Sequence, residues 1–414
     1  MPNIEIMSPV GDYQTLMAAI NASADSIYFG IDQLNMRAKS AKNFTIDDIP
    51  KVTQICHFNK VKAYLALNTI IYDHDLAIMK SIIDKAKIAN IDAVIASDIS
   101  VILYAFEIGI RVHASTQLNI SNIESIKFFS KYIDVFVLAR ELSLNQVKEI
   151  SNYITKNQIK GPSGELVKLE IFVHGALCMA ISGKCYLSLH EFNSSANRGA
   201  CQQTCRRSYI VTDKETGYEL EIDNEYIMSP KDLATIDFLD KVVQAGVSIF
   251  KIEGRARPPE YVKITTEVYK EAIRSIEENS FTTDKIENWK KRLSKVFNRG
   301  FWDGYYLGRK LGEWSNIYGS RATRKKIFIG DVTNFFKKIN VAEINVKANY
   351  LSIDDELIFV GPTTGVIELK ITEIRKDLLN VNIANKGDIV SIPLNKNIVR
   401  RSDKVYKLVE TDFS

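Results

Sequence analysis

Short apolar runs rich in β-branched residues recur from Ile4 to Gly254, and amphipathic stretches separate them. The runs are "IEIMSP", "SIYFGI", "VKAYLALN", "DAVIAS", "RVHAST", "DVFVLA", "LEIFVHG" and "SIFKIEG". Most hold about five near-continuous apolar residues, the pattern of parallel strands buried on both faces. Between them, "GDYQTLMAAINAS" (apolar at Leu16, Met17, Ala19 and Ile20) and "DHDLAIMKSIIDKAKIA" read as helices. Strands alternating with helices predict a parallel α/β fold. Eight units over roughly 300 residues fit a TIM-like (β/α)8 barrel. A doubly wound sheet is the alternative. It is weakened because no glycine-rich dinucleotide fingerprint follows the first strand.

The period changes near Arg309. "RKLGEWSNIYGSRATRKK", residues 309–326, reads as a basic linker. After it come "KIFIGDVTNFF", "VAEINVKA", "ELIFVG", "VIELKITEIR" and "DIVSIPL", short alternating strands with turn signals between them. They predict a small C-terminal all-β barrel over residues 327–414, beside a barrel domain over residues 1–308. No apolar run reaches the roughly 20 residues of a membrane span. The start "MPNIEIMSPV" lacks a signal peptide's basic end and long apolar stretch. A cytoplasmic protein with no membrane partner is expected. The net charge of +4 permits a nucleic-acid partner without arguing for one.

The chain has five cysteines, and four of them fall between Glu170 and Cys205. Cys178, Cys185, Cys201 and Cys205 are separated by six, fifteen and three residues. The segment follows the seventh strand, so it belongs at the C-terminal mouth, where such barrels place their chemistry. Residues from about 175 to 225 are too many for an ordinary loop and read as an insertion. Four thiolates suit a 4Fe–4S cluster or a tetrahedral zinc. In a reducing compartment metal is favoured over two disulfides or four unrelated core cysteines. Spacing alone discriminates weakly between iron–sulfur and zinc. Cys56, in "KVTQICHFNK", reads as a small buried hydrophobe.

Glu170, Phe172, Gly175, Cys178, Gly183, Cys185 and Ser188 resemble the signature of the collagenase-like peptidase U32 family. "MSPVGDYQTLMAAINASADSIYFG", "VHASTQLNI", "LARELSL" and "FKIEGRARPPEYV" extend the resemblance from Ile4 to about Gly308. The family's best understood members are similar to nucleic-acid and quinone modification factors. The resemblance implies a 4Fe–4S cluster on the four cysteines. By length and layout it implies prephenate-dependent hydroxylation of the tRNA wobble uridine to 5-hydroxyuridine. Hydroxylation of a ribosomal RNA cytidine or of a small aromatic molecule is the alternative within the family. A related family member or an electron donor is a further partner to expect. The peptidase name finds little support in motifs, since neither HExxH nor GxSxG occurs. A cysteine nucleophile needs a base such as His174 or His190.

Polar residues at barrel strand ends are the remaining candidates. His113, His174 and Glu253 are assigned to proton transfer, provided their surroundings bring them towards neutrality. A dicarboxylate such as prephenate needs cationic forks. Arg37, Arg140, Arg255 and Arg257 are the candidates, with Gln117 and with Lys231 as a point charge at the start of a helix in "MSPKDL". Strand-end ion pairs such as Arg140–Glu141 are the bland reading. Arg206 and Arg207, beside Cys205, are assigned to RNA phosphates, with Arg292 and "RATRKK" as further clusters. Trp302, Tyr305 and Tyr306 are either base-stacking residues or core.

Overall fold

A computed structural model describes residues 4–217, 219–220, 228–308, 313–316, 319–395 and 397–411. The eight expected runs form eight parallel strands: Glu5–Val10, Ser26–Phe29, Lys62–Leu67, Ala93–Ala96, Val112–Ala114, Val135–Val137, Lys168–Ala176 and Ile249–Ile252. Each pairs with the next, and the eighth pairs with both the seventh and the first, so the sheet closes into a barrel. Burial on both faces explains the near-continuous apolar runs. In Ser26–Phe29 and Ala93–Ala96 every residue is buried.

Local chemistry starts and stops the helices. Before Tyr13–Asn21, the Asp12 carboxylate accepts from Thr15 N at 2.9 Å, and Thr15 Oγ1 accepts from Asp12 N at 2.9 Å. This reciprocal cap satisfies two otherwise orphaned donors. Ser143 and Gln146 repeat it before Leu144–Asn157. The apolar face of that helix, Leu144, Val147, Ile150 and Ile154, is buried at a helical period.

One expectation fails between the seventh and eighth barrel strands. "MSPKDL" does not open a helix. Asp232–Ala234 is a short strand, antiparallel to the end of the seventh, with Asp232 opposite Ala176 and Ala234 opposite His174. It also pairs with Phe301–Trp302. The seventh strand therefore outruns the barrel and carries a second pairing partner at its tip. The register between the seventh and eighth strands shifts at Lys251/Ile252. Gly175 follows with φ +104, and a Cβ there would stand 2.3 Å from Glu253 O. Only glycine suits both demands.

Beyond the barrel, antiparallel strands form an eight-stranded sheet and a two-stranded one. Their own core includes Ile329, Val332, Ile344, Leu357, Phe359 and Ile392. The first strand, Arg324–Phe336, begins three residues before the expected boundary because Arg324 already pairs with Glu410. Residues 309–312, 317 and 318 of the expected linker lie outside the described residues. The sheet docks on the barrel's first helix. Asn21 Nδ2 donates to Thr364 O at 3.1 Å, and Ile358, Val360 and Val366 join the barrel's core. Among the described residues no helix is long and apolar enough to cross a membrane.

Candidate functional site

The cysteine segment folds over the barrel mouth. Cys178 follows the seventh strand, Cys185 precedes the helix Leu187–Phe192, Cys201 precedes the turn Thr204–Arg206, and Cys205 lies within that turn. Hydrogen bonds tie these parts together. Ser188 Oγ accepts from Gln202 N at 3.0 Å. Arg206 donates to Leu177 O and Pro230 O, both at 2.6 Å, and to Ser229 Oγ at 2.9 Å. Lys39 N donates to Gly199 O at 3.1 Å, fastening the segment to the loop after the second strand. All four cysteines then line one cavity of about 140 Å3, with Tyr28, Asn68, Phe172, Lys251 and Glu253 among its other walls.

Burial pushes the Cys205 thiol up to about 11; Arg206 opposes this and the other three thiols add to it. Burial also raises Cys185, with Cys178 and Cys201 contributing. The four sulfurs thus feel one another's charge. Binding a metal there must displace protons. Among the described residues no three His, Cys, Asp or Glu side chains converge tightly enough to share one metal ion. A single zinc requires every sulfur at about 2.3 Å from one point. In an iron–sulfur cube each thiolate takes its own iron. Four thiols lining one cavity are a donor set of the kind that either group uses.

The adjoining chamber is cationic. Arg37, Arg140, Arg206, Arg257 and Arg299 line it with Glu253, Cys178, Cys201 and Cys205. Arg37 Nη2 lies 3.1 Å from Glu253 Oε1, and Tyr28 OH lies 3.3 Å from the other carboxylate oxygen. Burial opposes the charge on Glu253, but Arg37, Arg140 and Arg255 outweigh it and hold the carboxyl below its usual range. Asp232 is shared by Arg257 at 3.6 Å and Arg299 at 3.5 Å. Burial pulls Arg299 down to about 10, partly offset by Asp232. Arg140 lies over the Phe172 ring at 4.0 Å and donates to Ala176 O at 3.3 Å, while its Nε has no hydrogen-bond partner.

The site residues divide into three groups, two expected from the sequence and one not. Arg37, Gln117, Arg140, Glu253 and Arg255 line the cysteine cavity, and Arg257 lines the adjoining chamber. Arg37, Arg140 and Arg255 hold Glu253 below the usual carboxylate range, and Glu253 pairs with Arg37. The second group lies elsewhere. His174 sits against Tyr261, Tyr269 and Phe301, outside both chambers, because Gly175 and the register shift turn the strand end away from the barrel axis. Burial lowers it to about 4, which keeps the imidazole neutral. His113 lies deeper, facing Glu170. Lys231 pairs with Glu313 at 2.9 Å and lines neither chamber. Arg206 is half-buried, braces the cysteine segment and lines the cationic chamber. Arg207 is exposed and pairs with Glu191 at 3.1 Å.

The other basic clusters are largely neutralised by carboxylates. Arg292 meets Glu267 and Glu271, Lys326 meets Glu260, and Arg324 meets Glu356, Glu368 and Glu410. Trp302 and Tyr306 are buried, so they belong to the core. The third group escaped the sequence: Tyr28, Lys251 and Arg299 line the site, and Glu170 supports it. A lysine inside the apolar run "SIFKIEG" and a glutamate inside "LEIFVHG" were the available signals.

Peptidase family U32 matches residues 11–316. The chain belongs to this family. A collagenase of Porphyromonas gingivalis is 56% identical over 405 residues, which are 98% of each chain. An uncharacterized protease of Methanocaldococcus jannaschii is 41% identical over 416 residues, 99% of this chain and 100% of the relative. A tRNA hydroxylation protein P of Helicobacter pylori is 30% identical over 320 residues, 75% of this chain and 73% of the relative. The U32 match takes in the barrel from its first helix onward, the cysteine segment and both chambers, and ends before the C-terminal sheet.

Proposed function

We propose that this U32 protein is an iron–sulfur enzyme that hydroxylates the wobble uridine of tRNA to 5-hydroxyuridine, with prephenate as the hydroxyl source. The observation behind this reading is one chamber in which Cys178, Cys201 and Cys205 stand beside five arginines. The relative named for tRNA hydroxylation supports the RNA substrate. Cys178, Cys185, Cys201 and Cys205 would hold a 4Fe–4S cluster, which supplies redox or Lewis-acid chemistry when bound.

The chain's own residues bind and orient. Arginine forks take carboxylates in a bidentate way. Arg140 donates to a backbone carbonyl and carries a buried, unpartnered Nε, so its guanidinium is the one least matched by carboxylates. Arg257 and Arg299 share one carboxylate, Asp232, so their wall keeps a positive surplus. A dianion such as prephenate supplies the charge this wall lacks. Phe172 and Tyr28 offer apolar faces to its ring. Glu253 stays ionised and aligns Arg37.

Mass spectrometry of tRNA nucleosides from a deletion strain tests the proposal. Loss of 5-hydroxyuridine, restored by the wild-type gene and not by Cys201→Ser, is the expected result. Unchanged tRNA overturns it. Loss of a hydroxylated ribosomal cytidine or of a hydroxylated small aromatic would reassign the substrate within the family.

The names of the relatives at 56% and 41% identity favour a peptidase as a second reading. Against it, no histidine lines either chamber, so a cysteine nucleophile there has no imidazole base. Collagen cleavage by metal-free protein, abolished by Cys178→Ser, would establish it.

A further inference from the structure

A row of buried ionisable groups crosses the barrel beneath the cysteine cavity. At the opposite end, a second cavity of about 330 Å3 is lined by Glu5, Lys62, Arg111, His113, Asp134 and Lys168. Most of these residues stand at strand starts, the face that usually serves stability rather than chemistry. His113 Nδ1 and Glu170 Oε2 are both buried without hydrogen-bond partners, yet they face each other at 3.6 Å. Glu170 Oε1 accepts from Lys251 Nζ at 2.8 Å. Lys251 in turn lines the cysteine cavity. All three side chains are 5% exposed or less.

We propose that His113, Glu170 and Lys251 form a proton path from the floor of the barrel to the cavity at its mouth. The row is poorly explained by stability alone. A buried ion pair is often no better than well-packed apolar residues, and barrel interiors are usually filled by branched side chains. Two orphaned atoms one short step from a hydrogen bond are an uncommon expense in a buried core. The mouth has few other proton sources. Guanidinium groups do not deprotonate. Glu253 is held ionised, and His174 lies outside the cavity. Tyr28 OH already donates to Ile252 O at 3.0 Å.

The transfers balance. The Lys251 ammonium gives a proton to a basic atom of the bound reactant. Glu170 Oε2 takes the proton on His113 Nδ1, the carboxyl turns so that this oxygen faces Lys251, and the lysine amine takes the proton from it, leaving Glu170 a carboxylate again. His113 Nε2 takes one from water in the floor cavity, leaving hydroxide there. No electrons move. Other charges facing His113 come from several strands. The Tyr64 ring lies 4.5 Å away with its hydroxyl on Glu5, and Lys62, Asp92, Arg111, Asp134, Glu165 and Lys168 surround the floor. The path rests on the proposed hydroxylase only for the reactant that consumes the proton.

Two measurements test it. In nitrogen-15 spectra of histidine-labelled wild-type protein, His113 should carry its proton on Nδ1, with a coupling to Glu170 that Glu170→Gln removes. Its Nε2 should exchange with solvent. A bare Nδ1 overturns the path whatever substrate is turned over. In hydroxylation assays, His113→Gly should lose activity by about 100-fold or more. Imidazole should restore it, and pyrazole, of the same shape but far weaker as a base, should not. Undiminished activity, equal rescue by pyrazole, or no rescue in a variant that melts like wild type overturns the path. Wild-type protein that hydroxylates no RNA defeats the functional reading instead, and the nitrogen spectrum still decides the path.

Discussion

Arg37 Nη2 and Glu253 Oε1 lie 3.1 Å apart, bridging the loop after the second strand and the end of the eighth. The pair closes the mouth across the seam where the eighth strand meets the first. Tyr28 OH lies 3.3 Å from the second carboxylate oxygen. Glu253→Gln removes the anion and leaves Arg37 half-buried without its charge partner. The expected cost is about 1–3 kcal/mol at neutral pH, read from denaturant unfolding. The sign with pH follows from the lowered carboxyl. A depressed folded-state pKa gives stability that is present above the unfolded value, near 4.5, and lost as pH falls through the folded value. The acid limb of the stability curve should therefore be shallower in Glu253→Gln than in wild type. Equal acid limbs would contradict this.

Gly175 makes the turn that sends the seventh strand out of the barrel. Gly175→Ala combines a left-handed φ with a Cβ 2.3 Å from Glu253 O. We expect at least about 2 kcal/mol of destabilisation. The melting temperature should fall by several degrees, and the Arg37–Glu253 pair should be disturbed with it. A neutral substitution would show that the strand end is free to shift.

These two sites show what the pattern along the chain does and does not reveal. All eight barrel strands were legible because burial on both faces writes itself as unbroken apolar runs. The cysteines were legible because so few occur elsewhere. Their meeting in one cavity depends on loops, which carry no period. His174 looked like a mouth residue from its place at a strand end. A register shift and one glycine turn it outward, and neither has a periodic signature. Lys231 looked like a helix start, but a three-residue strand formed only by its tertiary partners stands there. Lys251 and Glu170 are 81 residues apart, and neither reads as functional until the barrel sets them face to face.

The Glu170–Lys251 pair is nearly inaccessible on both sides. Glu170→Gln should cost about 3–5 kcal/mol by leaving Lys251 charged and buried. Adding Lys251→Met should recover a large part of that loss. Urea midpoints of the two single variants and the double variant measure the coupling. Strictly additive losses would mean the pair does not interact as its 2.8 Å geometry requires.

Arg140 offers the least occupied fork in the cationic chamber. Arg140→Ala should weaken prephenate binding about tenfold or more, and Arg140→Lys should restore only part, since an ammonium lacks the planar fork. Calorimetric titration of the purified variants reads this directly. Unchanged affinity in both would move the carboxylate site away from Arg140.

The central claim is that the four thiols around the mouth hold one iron–sulfur cube. Iron, acid-labile sulfide and zinc should be measured in protein purified without oxygen, for wild type and for Cys56→Ser and Cys205→Ser. The account predicts about four iron and four sulfide per chain in wild type and Cys56→Ser, with a sharp loss in Cys205→Ser. Stoichiometric zinc, or no metal with all four thiols free, would contradict it.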